Sequence, residues 1–508
     1  MMDNKNKKKN LLSKISIKHI HIALIVLGAI FAILPCFHTN IWFDESYSLS
    51  ISKHSFGEIW SIGAYDVHPV LYYWMLKIVR LLTNDSIMAI KIFSWVPLVI
   101  MGILGYTHIR KDFGEKTGLF FSFFAMLLPT CLIYSCEARM YSWAMLFVTI
   151  MFIYCYRILK SDKASNKNWI IFSIFSLASA YIHYYGLISA FVINLGMFIY
   201  FAVKSKKNKG TDNRLYWQNF IRNIISAIVQ VALYMPWLGV FLSQAKTVSG
   251  GYWIGVPNVP EIIEFQFTGN LGDTIHIPKF ISWPFTILFI VYLIYTFKKN
   301  WNKEEIKPAK FALFTYGAIV ITLCLITIIE RILYARYFLN MTGIFVFMTA
   351  VLFAMDNSKK AKVLCVLTVI LSLIANISLI CDNYDPSNAK PDEYILEDMQ
   401  ESDTFLSDNS CNGVVLSSEL NVPNDKLYFL NSANWNVDEA YKAYGTVIHD
   451  LSEIKDFKGR LWAIESSDQY GFQKEILEKI PGAKVIKSEH FYRRYQHYQF
   501  SISLIEVE

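Results

Sequence analysis

Apolar stretches of about 17 to 23 residues recur through the first three quarters of this chain, and each is long enough to cross a bilayer core of about 30 Å. Eleven are read, at about 20–37, 87–109, 117–134, 140–159, 169–185, 186–203, 220–242, 280–297, 311–329, 333–355 and 361–381. Only 18% of the 508 residues are charged, below the roughly 25% of a soluble domain, so the polar residues have been removed from long contiguous segments. The expected fold class is an all-α polytopic membrane protein.

Orientation follows from the lysines and arginines. The N-terminal tail carries Lys5, Lys7, Lys8, Lys9, Lys14 and Lys18. With that tail in the cytoplasm, alternation puts loops 110–116, 160–168, 204–219, 298–310 and 356–362 inside, and every one is rich in Lys or Arg. This parity requires 69–82, which contains Lys77 and Arg80, to lie at the interface or only partly inserted. No small-residue cleavage site follows the first apolar run, so the chain is read as keeping it as a membrane helix. The localisation expected is the cytoplasmic membrane, multi-pass, with the N-terminus inside.

Residues 382–508 differ in composition, with 23 acidic and 12 basic side chains. Short apolar runs at 413–416, 426–430, 460–464 and 500–505 read as strands, and 471–480 as a helix stopped by Pro481-Gly482. The chain thus divides into a membrane domain at 1–381 and a small extracytoplasmic α/β domain at 382–508. Seven of the eight cysteines lie in the membrane part and only Cys411 beyond it, with no CxxC motif. No disulfide framework follows, and the external domain is expected to fold on its own core.

The parity gathers polar residues on one side. Loop 38–86 carries Asp44-Glu45, flanked by Trp42, Phe43 and Tyr47, and then Tyr65-Asp66-Val67-His68-Pro69. The Tyr134–Tyr141 turn supplies Glu137, Arg139 and Tyr141. His183-Tyr184-Tyr185 and the group Arg331, Tyr334, Arg336 and Tyr337 sit at further outer helix ends. Ionisable groups at membrane depth are functional candidates by default. Loop 243–279, with Gly250-Gly251-Tyr252-Trp253 followed by the amphipathic 261–267, is either a lid or an ordinary interfacial connector.

The order Phe43-Asp44-Glu45, His68-Pro69 ahead of Tyr72-Tyr73, Glu137-Ala138-Arg139-Met140-Tyr141, His183-Tyr184-Tyr185 and Arg336-Tyr337 resembles the bacterial GT-C membrane glycosyltransferases. These are relatives of protein O-mannosyltransferases and of the lipid A aminoarabinose transferase. The resemblance covers about 1–380; the C-terminal domain carries no motif of it. It implies inverting transfer of a sugar from a polyprenyl-phosphate or polyprenyl-diphosphate donor, at the outer face of the cytoplasmic membrane. The acceptor is a lipid, a protein or a cell-wall polymer, and no nucleic acid takes part.

By the same resemblance Asp44 matches the catalytic carboxylate, a general base for the acceptor, with Glu45 orienting Asp44 or a metal ligand. Arg139 and Arg336 are the candidates for the donor phosphate, because a guanidinium grips phosphate oxygens in two places. Arg331 competes with Arg336 for that role, and Arg139 is alternatively an interfacial residue paired with Glu137. His68 either joins Asp44, Asp66 or Glu137 around a divalent metal or fixes its loop by hydrogen bonding. Glu137, Tyr141 and His183 are supporting residues. A transporter or flippase of a lipid-linked sugar is the alternative; it predicts ionisable groups near the bilayer midplane, where most of these helices are apolar, Lys91 being an exception near a helix end. A receptor acting through 382–508 alone predicts that Asp44 is dispensable.

Overall fold

The computed structural model describes residues 16–161, 165–207, 211–249, 254–431, 438–466 and 471–508. The basic tail before Ser16, Lys163, Lys209 and the Gly250–Trp253 segment lie outside the described residues.

Among the described residues nine helices are long and apolar enough to cross a membrane: Ile17–Cys36, Ile87–Phe113, Tyr141–Lys160, Tyr184–Lys206, Arg214–Val248, Lys279–Asn300, Glu304–Ile329, Ala335–Ala354 and Lys359–Asn383. The other two of the eleven expected spans are helical but short. The stretch at 117–134 is split into Glu115–Leu127 and Pro129–Ile133, because Leu128 takes an extended conformation ahead of the proline. The stretch at 169–185 is the 17-residue helix Asn166–Ile182, about 26 Å long, ended by extended His183.

Tyr141–Lys160 and Ala335–Ala354 form the centre of the bundle and are buried along most of their length, whereas Arg214–Val248 and Glu304–Ile329 turn most of their surface outward. The two central helices meet where Gly343 faces Thr149, so closely that a Cβ at Gly343 would collide with Thr149 Oγ1. Small residues permit such contact where lipid supplies no hydrophobic drive between helices.

The interfacial segment is the amphipathic helix Leu71–Thr83, which buries Tyr72, Tyr73, Leu76 and Arg80 and exposes Leu81 and Leu82. The amphipathic piece of loop 243–279 is Val259–Thr268. It differs from an interfacial connector in that its second half is buried. Glu264 accepts hydrogen bonds from Asn270 and Ser282, and Gln266 bonds Thr342 and Tyr316.

The C-terminal domain is one six-stranded sheet of β1 (Thr404–Ser407), β2 (Leu427–Leu430), β3 (Thr446–Ile448), β4 (Gly459–Glu465), β5 (Ala483–Tyr492) and β6 (Gln499–Val507), in the order β3-β2-β1-β4-β6-β5. The first four are parallel and β6 runs antiparallel to β4 and β5. The runs at 426–430, 460–464 and 500–505 are strands as expected, and Phe472–Lys479 is the expected helix. The run at 413–416 is instead the start of helix Val414–Glu419, in which Val414, Val415, Leu416, Ser417 and Ser418 are all buried, so the short helix is enclosed on every side.

Successive strand residues point to opposite faces of the sheet. Leu406, Ala463 and Ile505 pack with Phe472 and Ile476 in a core of the domain's own. Phe405, Trp462 and Phe500 join the apolar cluster that continues into Tyr47, Tyr73 and the membrane helices. The expectation of an independent core is therefore met on one face only; the other face is completed by the membrane domain.

Candidate active site

Asp44 and Glu45 occupy the first turn of helix Phe43–Ile51, where unpaired backbone N–H groups favour carboxylates. Neighbours on a helix are about 100° apart, so the two carboxylates face different surroundings.

Asp44 faces arginines. Arg336 Nη1 donates to Asp44 Oδ2 at 3.0 Å, and Arg139 Nη2 stands 4.0 Å from the same oxygen. Arg139 Nη1 also donates to the Asp44 carbonyl and to Ser48 Oγ, both at 3.0 Å. The Arg336 guanidinium lies over the rings of Trp42 and Tyr334, 4.7 and 5.0 Å from their centroids. Arg139 is 2% exposed, and no ion pair joins it to Glu137, so it is no interfacial snorkeller. Arg331 is exposed.

Glu45 is fully buried and saturated. Lys91 Nζ donates to Oε1 at 2.8 Å and the Ala138 amide to the same oxygen at 2.6 Å. The Trp42 amide at 3.2 Å and Tyr495 Oη at 3.0 Å donate to Oε2. A carboxylate so enclosed holds structure in place and has no access to a substrate proton.

Next to Asp44 and its arginines, polar atoms converge without partners. Buried Glu137 Oε2, Arg139 Nε, Tyr141 Oη, Arg336 Nε and His183 Nε2 make no hydrogen bond within the protein. Buried polar atoms are normally satisfied, so a concentration of orphans marks a place for a polar ligand. Burial, followed by the charge of Glu45, pushes the Glu137 carboxyl up to about 8.

His183 is joined to the site through its ring, which lies 5.5 Å from His68, 4.8 Å from Tyr337 and 6.0 Å from Tyr141. Asp66 accepts from Tyr73 at 2.9 Å and faces His68 Nδ1 at 3.6 Å. Burial would raise its carboxyl, but the bond and charge of His68 outweigh it and hold Asp66 below the usual value. Among the described residues no three His, Cys, Asp or Glu, Asp44, Asp66, His68 and Glu137 included, are placed to hold a metal ion. Asp44 is engaged by guanidinium groups, and Asp66 with His68 is left as a two-residue pair.

Two contributions escape the sequence reading. Lys91 carried a signal, since an ammonium within an apolar helix needs a buried partner, but nothing in the sequence named Glu45. Tyr495 carried none, because only the fold brings it 450 positions back to Glu45.

No protein-family model matches this sequence, and no curated protein sequence matches it significantly. Solved structures do. ArnT from Cupriavidus metallidurans in the apo state superposes with a TM-score of 0.62 at 10% identity, over 95% of this chain and 97% of that one. The same protein bound to undecaprenyl phosphate gives 0.59 at 11% identity, with the same coverage. At such identity the likeness establishes the fold, over the membrane part and the C-terminal domain together.

Proposed function

We propose that this chain, which has the GT-C fold, transfers a sugar from a polyprenyl-phosphate-linked donor to an acceptor at the outer face of the cytoplasmic membrane, with inversion at the anomeric carbon. The observation that carries this reading is the Asp44 carboxylate held against Arg336 at 3.0 Å and Arg139 at 4.0 Å, amid orphaned buried polar atoms. The undecaprenyl phosphate named with the ArnT structure supports a donor of that class.

In this reading the acceptor's hydroxyl oxygen attacks the anomeric carbon while Asp44 takes its proton. The bond from that carbon to the phosphate oxygen breaks, and its electrons leave with the lipid phosphate. Arg336 spends one nitrogen on Asp44 and Arg139 leaves its Nε unused, so both guanidinium groups retain donors for phosphate oxygens as charge builds there. The sugar and acceptor are set by pocket contacts that no motif encodes.

A transporter would carry its ionisable groups deep in the bilayer. Here the ionisable Lys91 sits in the first turns of its helix and is paired with Glu45, and the polar network of Ser176, Asn194, Ser226 and Gln230 is neutral and hydrogen-bonded within itself.

The test is direct. Purified protein in nanodiscs is given polyprenyl-phosphate-linked sugars with a bacterial envelope extract, and released polyprenyl phosphate is followed by mass spectrometry. Wild type is expected to release it, and Asp44→Asn to lose about 10² to 10⁴ of the rate while staying folded. Near-normal turnover by Asp44→Asn rules out the assignment of Asp44.

A further inference from the structure

Resting on that reading of Asp44, we propose that Tyr495, on the tip of the β5–β6 hairpin at residues 493–498, is a positioning residue that aims Asp44 through Glu45. The tip is closed by Arg493 N–H donating to the Tyr498 carbonyl at 2.7 Å and reaches from the C-terminal domain into the membrane domain.

Its residues grip the segment that leads into helix Phe43–Ile51. Fully buried Arg493 pairs with Glu419 at 2.8 and 2.9 Å and donates to Asn40 Oδ1 at 3.2 Å. Glu419 in turn accepts from the Ile41 amide at 2.6 Å. The Phe43 amide donates to Tyr498 Oη at 3.2 Å. This stretch precedes the helix and lies outside any sheet, so its buried N–H groups need such partners.

Tyr495 completes the set. Four donors converge on Glu45: Lys91 from a membrane helix, Ala138 from the turn that carries Arg139, Trp42 from the start of the helix itself, and Tyr495 from the hairpin. With Glu45 tied from four directions the helix cannot rotate about its axis, and the adjoining Asp44 is fixed toward Arg336 and Arg139. Removing one donor frees one edge of Glu45 and loosens the aim of Asp44.

A second observation points to the same tip. Gln496 and His497, the two residues after Tyr495, both have left-handed backbones, with φ of 58° and 54°. Consecutive non-glycine residues in that region are strained, persist only where their surroundings over-determine them, and cluster at functional sites. The hydroxyl of Tyr495 is delivered from such a turn, and its ring packs 5.5 Å from His38 and under Lys91.

The competing account is that Tyr495 merely docks the domain. The full chain in nanodiscs separates the two, using the donor that wild type consumes and undecaprenyl phosphate as the binding probe. Tyr495→Phe keeps the ring and loses the hydroxyl. It is expected to lower kcat by about tenfold to a hundredfold, with donor KM and undecaprenyl phosphate binding nearly unchanged. Arg494→Gln is the docking control, since the Arg494 guanidinium pairs with Asp382 and Asp385 at the same interface; its kcat is expected to stay near wild type. Wild-type kcat in Tyr495→Phe overturns the proposal, and so does an equal loss in Arg494→Gln.

Should Tyr495→Phe fail to fold, Gln496→Gly/His497→Gly admits the same turn without strain and lets Tyr495 move. A lowered kcat at unchanged donor KM supports the proposal there, and an unchanged kcat overturns it. A wild type that consumes no donor overturns the transferase reading as well, whereas an active wild type with an unaffected Tyr495→Phe overturns this proposal alone.

Discussion

Lys91 Nζ lies 2.8 Å from Glu45 Oε1, with both side chains sealed from solvent, at 1% and 0% exposure. The pair ties a membrane helix to the carboxylate beside Asp44. Two charges removed from water are tolerable only together, and deleting one partner typically costs about 3–5 kcal/mol because the other is stranded. Lys91→Met is therefore expected to lower the thermal midpoint in detergent strongly, and Lys91→Met/Glu45→Gln to recover part of the loss. A double variant no more stable than the single one would show that the pair is not the coupled unit described.

Arg336 and Arg139 hold Asp44 and keep unused donors. Arg336→Ala and Arg139→Ala are each expected to weaken undecaprenyl phosphate binding by about tenfold or more, the worth of a charge-assisted hydrogen bond. Arg139→Lys restores only part, since a point charge cannot make a two-pronged contact. Exposed Arg331 is expected to matter little when replaced by Ala. Titration of the purified variants with the lipid checks the order; unchanged affinity in both Arg336→Ala and Arg139→Ala places the phosphate elsewhere.

Glu137 gives a pH dependence with a definite sign. Its carboxyl is raised from 4.5 to about 8, first by burial and then by the charge of Glu45. Between those values the folded protein holds a proton that the unfolded chain has lost, so stability is full below about 4.5 and declines as pH rises through about 8. Glu137→Gln removes this slope. Thermal midpoints at pH 6 and pH 9 should show wild type falling more than the variant, and parallel curves would refute the shift.

Topology is open to labelling. With the N-terminus inside, single cysteines at exposed Tyr65 and Glu489 should react with a membrane-impermeant reagent on intact cells, whereas those at Lys111 and Lys303 should not. Lysine-rich short loops are retained inside during insertion, which is the physical basis. The reverse pattern would put Asp44 in the cytoplasm and remove the outer-face reading.

What the sequence alone determined is what depends on local composition. A span is legible because some 20 apolar residues must be contiguous to cross lipid, and the Phe43-Asp44-Glu45, Glu137–Tyr141 and Arg336-Tyr337 groups are legible as motifs at helix ends. Strands at 426–430 and 460–464 were visible for the same reason. The run at 413–416 departs from a strand because three apolar residues after a glycine fit a strand or a short buried helix equally well, and hydropathy, which marks both short helices, is blind to the break at Leu128 and to the early end at His183. Only the tertiary structure decided the division of labour between adjacent carboxylates. Asp44 and Glu45 are equivalent by composition, and it is their 100° separation on a helix, together with Arg336, Lys91 and Tyr495 arriving from remote parts of the chain, that leaves one engaged with arginines beside the orphaned polar atoms and the other locked away.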